Sequence, residues 1–202
     1  MAAKAEPVIL ASASAARAGL LRSAGVDFTI EPAAIDESRL KSDTRRRGDS
    51  AIDCATALAA EKASVISRRH PAALVIGADQ ILATGEEWFD KPGDLAEART
   101  QLRALRGRTH RLETAAVVVW SGELLWRATS SPEMRMRGFS DAFIEAYVVA
   151  EGEALLGSVG AYRLEGRGVQ LFSRITGDHF AVLGLPLVEL LGFLRERGAM
   201  LI

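Results

Sequence analysis

The chain of 202 residues holds a single cysteine, Cys54. That excludes a disulfide framework and a cysteine-held metal, and Cys54, set in a helical pattern, reads as a small buried apolar residue. No glycine precedes a lysine anywhere, and no G-x-G-x-x-G follows an apolar run, so the two common glycine-rich phosphate loops are missing. His70, His110 and His179 stand isolated, with neither a metal-binding helical pair nor a serine elbow of the hydrolase type. This argues against histidine-based metal or triad chemistry. Charge of one sign is also lacking: 25 basic residues face 26 acidic ones, for a net charge of −1, and aromatics make up only 6%. A basic stripe interleaved with aromatics, as nucleic-acid binding needs, is therefore not expected, nor is attraction to an anionic membrane. No apolar run approaches the roughly 20 residues that span a bilayer, and the N-terminus carries no charged-then-apolar signal pattern. The expectation is a soluble, cytoplasmic protein with neither membrane nor nucleic acid as partner.

What is present is an alternation of strand and helix signals without internal repeat, low-complexity tract or linker. Residues 8–11 read as a strand followed by a helix that ends near Gly25, and residues 26–30 as a second strand closed by Pro32. Residues 36–49, with Arg45, Arg46 and Arg47, show no periodicity and read as a surface loop or a frayed helix. An alanine-rich helix follows over 51–67, then a continuous apolar strand over 73–78 that suits the centre of a sheet covered on both faces. Asp94 reads as the cap of a helix over 95–105 that stops at Gly107. Residues 109–120 and 123–137 read as paired strands turning at Ser121-Gly122. Ser140 opens a short helix with Phe143, Ile144, Tyr147 and Val148 on one face. Residues 161–175 return as strand and turn, and 187–197 as a closing amphipathic helix. The mixed order predicts an α/β or α+β fold on a mixed sheet, and the length suits one domain over 1–202 or two closely packed lobes.

The opening strand and turn carry the most specific chemical signal. In Val8-Ile9-Leu10-Ala11-Ser12-Ala13-Ser14-Ala15-Ala16-Arg17, an apolar run gives way to small hydroxyl residues and then to a helical pattern bearing an arginine. Free backbone N–H groups, the helix dipole and Ser12 or Ser14 can there face an anion, with Arg17 adding a charge-assisted fork. The plainer alternative is that the serines only cap a helix and Arg17 is solvated. Asp79 follows the apolar strand directly, so its carboxylate emerges at the strand's carboxyl edge, where open α/β sheets bind ligands. Glu37 lies just past the second strand, Lys62 on the alanine-rich helix, and Lys91 before Pro92 in a rigid turn. Taken singly, each is more often an exposed charge than a site residue. Together, two carboxylates and three cations form the set that metal-assisted attack on a polyphosphate requires: carboxylates hold the divalent ion and activate water, and lysine and arginine neutralise phosphate oxygens.

At these positions the chain resembles the Maf proteins, a family of nucleoside triphosphate pyrophosphatases. The resemblance covers Leu10-Ala11-Ser12-Ala13-Ser14 with Arg17, Ile35-Asp36-Glu37, Glu61-Lys62-Ala63, Gly77-Ala78-Asp79-Gln80, Asp90-Lys91-Pro92, Gly107-Arg108-Thr109-His110, Glu165-Gly166 and Leu183-Gly184-Leu185-Pro186-Leu187. It implies Asp79 as the catalytic acid or base and metal ligand, Glu37 as a second metal ligand, and Ser12, Arg17, Lys62 and Lys91 as phosphate-site residues. It further implies an elongated mixed sheet flanked by helices with a cleft between two lobes, a tendency to form a homodimer, and magnesium or manganese as cofactor. The reaction implied is hydrolysis between the α and β phosphates, yielding a nucleoside monophosphate and pyrophosphate.

Four positions depart from the commonest family pattern: Ala15 replaces a proline, Ala16 an arginine, Gln80 a threonine, and Glu165 a glutamine. The last two resemble the branch acting on 7-methyl-GTP rather than the one acting on dTTP and UTP. A carboxylate at 165 suits a methylated guanine, whose ring is cationic, whereas Ala16 leaves empty a position where that branch usually places a stacking tryptophan. The alternatives are a dTTP/UTP pyrophosphatase and, from a different class, a non-enzymatic regulator of septum formation, which the resemblance also suggests.

Overall fold

The structure is a computed structural model, and it describes residues 6–200. Its strands are β1 (Val8–Leu10), β2 (Thr29–Ile30), β3 (Leu74–Thr84), β4 (Glu87–Phe89), β5 (Thr109–Trp120), β6 (Glu123–Ser130), β7 (Glu133–Met136) and β8 (Phe172–Thr176). Its helices are α1 (Ala15–Ser23), α2 (Glu37–Arg47), α3 (Ala51–Ser67), α4 (Leu95–Leu105), α5 (Asp141–Glu151), α6 (His179–Val182) and α7 (Leu187–Glu196). The strands form a mixed eight-stranded sheet in the order β2-β1-β3-β5-β7-β8, with β4 paired to β3 and β6 to β5. The α/β class expected from the sequence is borne out. The chain divides into two compact units, 1–80 with 113–130 and 178–202, and 81–112 with 131–177.

In the first unit β1 pairs in parallel with both β2 and β3, and β5 runs antiparallel to β6. Strand alternation divides the residues of β3 between two faces. Leu74, Ile76 and Ala78 join Leu10, Leu21, Val118, Leu185, Leu190 and Leu194 in a buried core shared with α1 and α7. On the opposite face, Gly77 lies directly against α3: a Cβ there would stand 2.1 Å from the Ala59 carbonyl oxygen and 2.9 Å from Ala63 Cβ. Ser50 and Asp53 start α3 with reciprocal side-chain-to-backbone bonds, which satisfies two of its free N–H groups.

In the second unit β4 pairs with the end of β3, and β7 lies between the start of β5 and β8. Helix α4 packs on α5. Leu82, Leu102, Leu105, Leu112, Met134, Met136 and Leu171 are fully or almost fully buried there. Three short 3₁₀ turns occupy 152–171.

Several elements differ from the sequence expectation. The stretch 36–49 is an ordered helix, because the Asp36 carboxylate caps it by accepting the Arg39 N–H at 2.9 Å and Gly48 ends it in the left-handed conformation. Within it Thr44 is buried, where it bonds the Leu40 carbonyl at 2.7 Å. The second strand shrinks to Thr29 and Ile30, which pair with Ile9 and Leu10 at the sheet edge. The central strand extends to Thr84. The hairpin turns at Ser121 and Gly122, both at positive φ, but its return strand breaks at Pro132, which lacks an N–H for the ladder. Residues 161–171 are turns rather than strand, and only 172–176 pair. The short β4 and α6 have no counterpart among the elements expected from the sequence.

Candidate active site

Six of the residues singled out in the sequence, Ser12, Ser14, Arg17, Glu37, Lys62 and Asp79, meet in the first unit. Ser14 caps α1, its hydroxyl accepting the Arg17 N–H at 3.4 Å, while the buried Ser12 hydroxyl accepts from Arg17 Nη1 at 3.1 Å. The two serines thus divide the roles that the sequence left open. Arg17 is half-buried rather than solvated: Nε donates to the Gly184 carbonyl at 3.0 Å and Nη1 to the Ala78 carbonyl at 2.9 Å. Burial pulls its guanidinium below the usual arginine range, and the charges of Asp79 and Glu37 push it back up. Those two carboxylates therefore act on Arg17 through space.

Lys62 projects from α3, and its Nζ lies 2.5 Å from Asp79 Oδ1 and 2.7 Å from Glu37 Oε1. Asp79 and Lys62 are both buried, whereas the Glu37 side chain is 45% exposed. One ammonium thus offsets the repulsion that would otherwise separate two close carboxylates. The Gln80 amide nitrogen lies 2.8 Å from Thr114 Oγ1 and 2.9 Å from the Ala181 carbonyl oxygen. Ala16 is half-buried in the first turn of α1.

Lys91 and Glu165 belong to the second unit. Lys91 is exposed beside the buried Pro92, in a turn held on both sides by α4: Gln101 Nε2 donates to the Asp90 carbonyl at 3.0 Å, and the Glu97 carboxylate accepts the Gly93 N–H at 2.8 Å. Glu165 is exposed on a turn closed by the Gly166 N–H on the Arg163 carbonyl at 3.2 Å. No group of three or more histidine, cysteine, aspartate or glutamate side chains able to hold a metal occurs among the described residues. Thr114, Ala181, Gly184 and Gln101 were not singled out as site residues. Their contributions are a hydroxyl, two carbonyls and an amide, which no charge pattern advertises.

With that geometry in place, relatives give the constellation its context. A family model described as Maf-like protein matches residues 7–197. The chain belongs to the Maf family. It is 52% identical over 193 residues to a nucleoside triphosphate pyrophosphatase of Granulibacter bethesdensis, covering 96% of this chain and 98% of the relative. A protein of the same description from Rhodospirillum rubrum is 50% identical over 201 residues and covers both chains entirely. A 7-methyl-GTP pyrophosphatase of Rhizobium meliloti is 48% identical over 192 residues, covering 95% of this chain and 96% of the relative. Among Maf proteins, then, both descriptions occur at nearly equal distance from this chain.

Proposed function

We propose that this Maf protein hydrolyses nucleoside triphosphates between the α and β phosphates, releasing a nucleoside monophosphate and pyrophosphate. The observation that carries the reading is Lys62 held between Glu37 and Asp79 beside the inward-turned Arg17. Asp79 accepts a proton from the attacking water. Lys62 fixes that carboxylate in place, and Arg17 and Ser12 bind phosphate oxygens and offset charge as it builds.

The donor set also fits a divalent cation such as magnesium or manganese. Two carboxylates converge on one point, and magnesium is commonly held by one or two carboxylates together with substrate phosphates. Glu37 and Asp79 would hold it, and when bound it supplies charge neutralisation at the phosphates. The base reading rests on Glu165, whose carboxylate favours the cationic ring of 7-methyl-GTP over uracil or thymine.

The test is a panel of canonical and methylated nucleoside triphosphates assayed for pyrophosphate release with magnesium and with manganese. The wild type yields monophosphate and pyrophosphate in equal amounts, and Asp79→Asn loses about 10²-fold or more of turnover while remaining folded. Release of single phosphates, or near-wild-type turnover by Asp79→Asn, overturns the assignment.

A further inference from the structure

In the second unit, Tyr147 and Glu151 stand one turn apart on one face of α5, and that face meets the turn 163–168 that carries Glu165. The turn is tightly closed. The Gly166 N–H bonds the Arg163 carbonyl at 3.2 Å, and Gly168 lies against the Arg163 backbone, where a Cβ would stand 2.4 Å from the carbonyl oxygen. Gly166 presents no side chain to α5, and the Glu151 carboxylate lies against it, Oε2 being 3.6 Å from where a Gly166 Cβ would stand. The Glu151 side chain is only 11% exposed and accepts no hydrogen bond among the described residues; Arg167 Nε, on a side chain 62% exposed, lies 4.0 Å from Oε1. Tyr147 is 4% exposed, and its hydroxyl is buried without a hydrogen-bond partner among the described residues, since the Arg163 N–H approaches it outside bonding geometry. Burial, joined by the charges of Glu151 and Glu165, pushes that hydroxyl above the usual tyrosine range, so it stays a protonated donor. A donor and an acceptor thus stand unpaired beside Glu165. Buried polar groups without partners are few in folded proteins, and a ligand is one source of the missing partner.

We propose that Glu151 is a second base-selecting carboxylate, which accepts the N–H donors on the edge of a cationic guanine-type base while the Tyr147 hydroxyl donates to that base's exocyclic oxygen. The inference rests on the reading that Glu165 faces the base, and deepens it. A guanine edge sets an exocyclic oxygen beside N–H donors, the complement of a hydroxyl beside a carboxylate. Uracil and thymine offer one N–H between two oxygens, so an oxygen would face the carboxylate. Of the two carboxylates, Glu151 contributes more to the selection of charge. Glu165 is exposed and screened by salt, whereas Glu151 is shielded from water and acts at a lower effective dielectric. Arg167 offsets little of this, because it meets Glu151 at the limit of an ion pair and is itself mostly solvated.

Glu151→Gln keeps the shape of the side chain and removes its charge. The measurements are kcat/KM on 7-methyl-GTP and GTP, which differ only in the methyl group and its charge, and equilibrium binding of the phosphate-free nucleosides 7-methylguanosine and guanosine. Both are made at about 0.05 M and about 0.5 M salt. The expected result is a fall of about tenfold or more in the preference for the methylated base, in turnover and in binding, which persists at the higher salt. The smaller loss in Glu165→Gln should shrink there. Arg167→Gln, which removes the competing cation, should raise the preference about twofold, and Tyr147→Phe should weaken both nucleosides about fivefold with their ratio unchanged. If Glu151→Gln does not fold, Glu151→Asp, which withdraws the carboxylate by one methylene, should lower the same preference about threefold. Equal losses on methylated and unmethylated bases would mean that Glu151 only props the turn, and they overturn the proposal. A preference abolished by Glu165→Gln but untouched by Glu151→Gln also overturns it and leaves the reading of Glu165 intact. If the wild type cleaves no triphosphate, the hydrolysis reading alone fails, and nucleoside binding still decides the role of Glu151.

Discussion

Arg17 and Glu165 are both charged residues that the sequence marks, yet their surroundings give them opposite characters. Arg17 spends Nε and Nη1 on two backbone carbonyls and a serine hydroxyl, and is thereby oriented before any ligand arrives. Such preorganisation lowers the ordering cost of binding a phosphate. Glu165 stands exposed on its turn, so water and salt screen its field and its pull on a cationic base is modest. Glu165→Gln should therefore lower kcat/KM on 7-methyl-GTP about threefold to fivefold while leaving that on UTP and dTTP nearly unchanged, since an exposed charge contact is worth at most about 1 kcal/mol. Equal losses on cationic and neutral bases, read from paired progress curves, would remove Glu165 from base selection.

Helix α3 and strand β3 were the most legible elements, and their contact shows what legibility left out. Alanine content announces α3, and an unbroken apolar run announces the first half of β3, while the capping box of Ser50 and Asp53 shows only in the structure. Helix α2 is less legible because it is polar almost throughout; its only buried residue is Thr44, and capping by Asp36 defines its start. The site was legible as a list of residues but not as an arrangement. Arg17 reaches a carbonyl 167 positions away, and the partners of Gln80 lie 34 and 101 positions away. Local patterning has no term for such separations. The direct approach of Gly77 to α3 is likewise invisible in the sequence, although it sets the distance from which Lys62 reaches Asp79. Gly77→Ala places a methyl group 2.1 Å from the Ala59 carbonyl oxygen, a backbone atom that cannot rotate aside. Helix and strand must separate, which should destabilise the protein by about 1–3 kcal/mol in urea unfolding and also lower kcat, because Lys62 and Asp79 lie on the separating surfaces. A Gly77→Ala protein with wild-type stability and turnover would show that the α3 contact does not position Lys62.

The two compact units make different demands on pH. In the first, the ionised groups of the site are matched against one another. In the second, the decisive group is His110 on β5, about 1% exposed, with Nε2 2.8 Å from Tyr162 Oη and with Nδ1 lacking any hydrogen-bond partner among the described residues. The rings of Tyr162 and Phe172 pack beside it. A protonated imidazolium would need an acceptor at both nitrogens, and burial accordingly lowers the His110 pKa to about 4. An unfolded chain takes up this proton near pH 6.5, so between pH 6.5 and 4 the unfolded state holds more protons than the folded one. Stability from this group is complete above pH 6.5 and is lost as the pH falls, by about 3 kcal/mol in all once below pH 4. His110→Phe removes the titration and leaves the buried Tyr162 hydroxyl without its partner, a pH-independent cost of about 1–3 kcal/mol. Urea unfolding of both proteins from pH 8 to pH 4 should therefore find the variant less stable at neutral pH, and the difference should shift in its favour by about 3 kcal/mol as the pH approaches 4, closing the gap or reversing it. A gap that stays constant over that range would mean that His110 titrates alike in the folded and unfolded chains, and that its burial leaves the acid limb of the stability curve to the carboxylates.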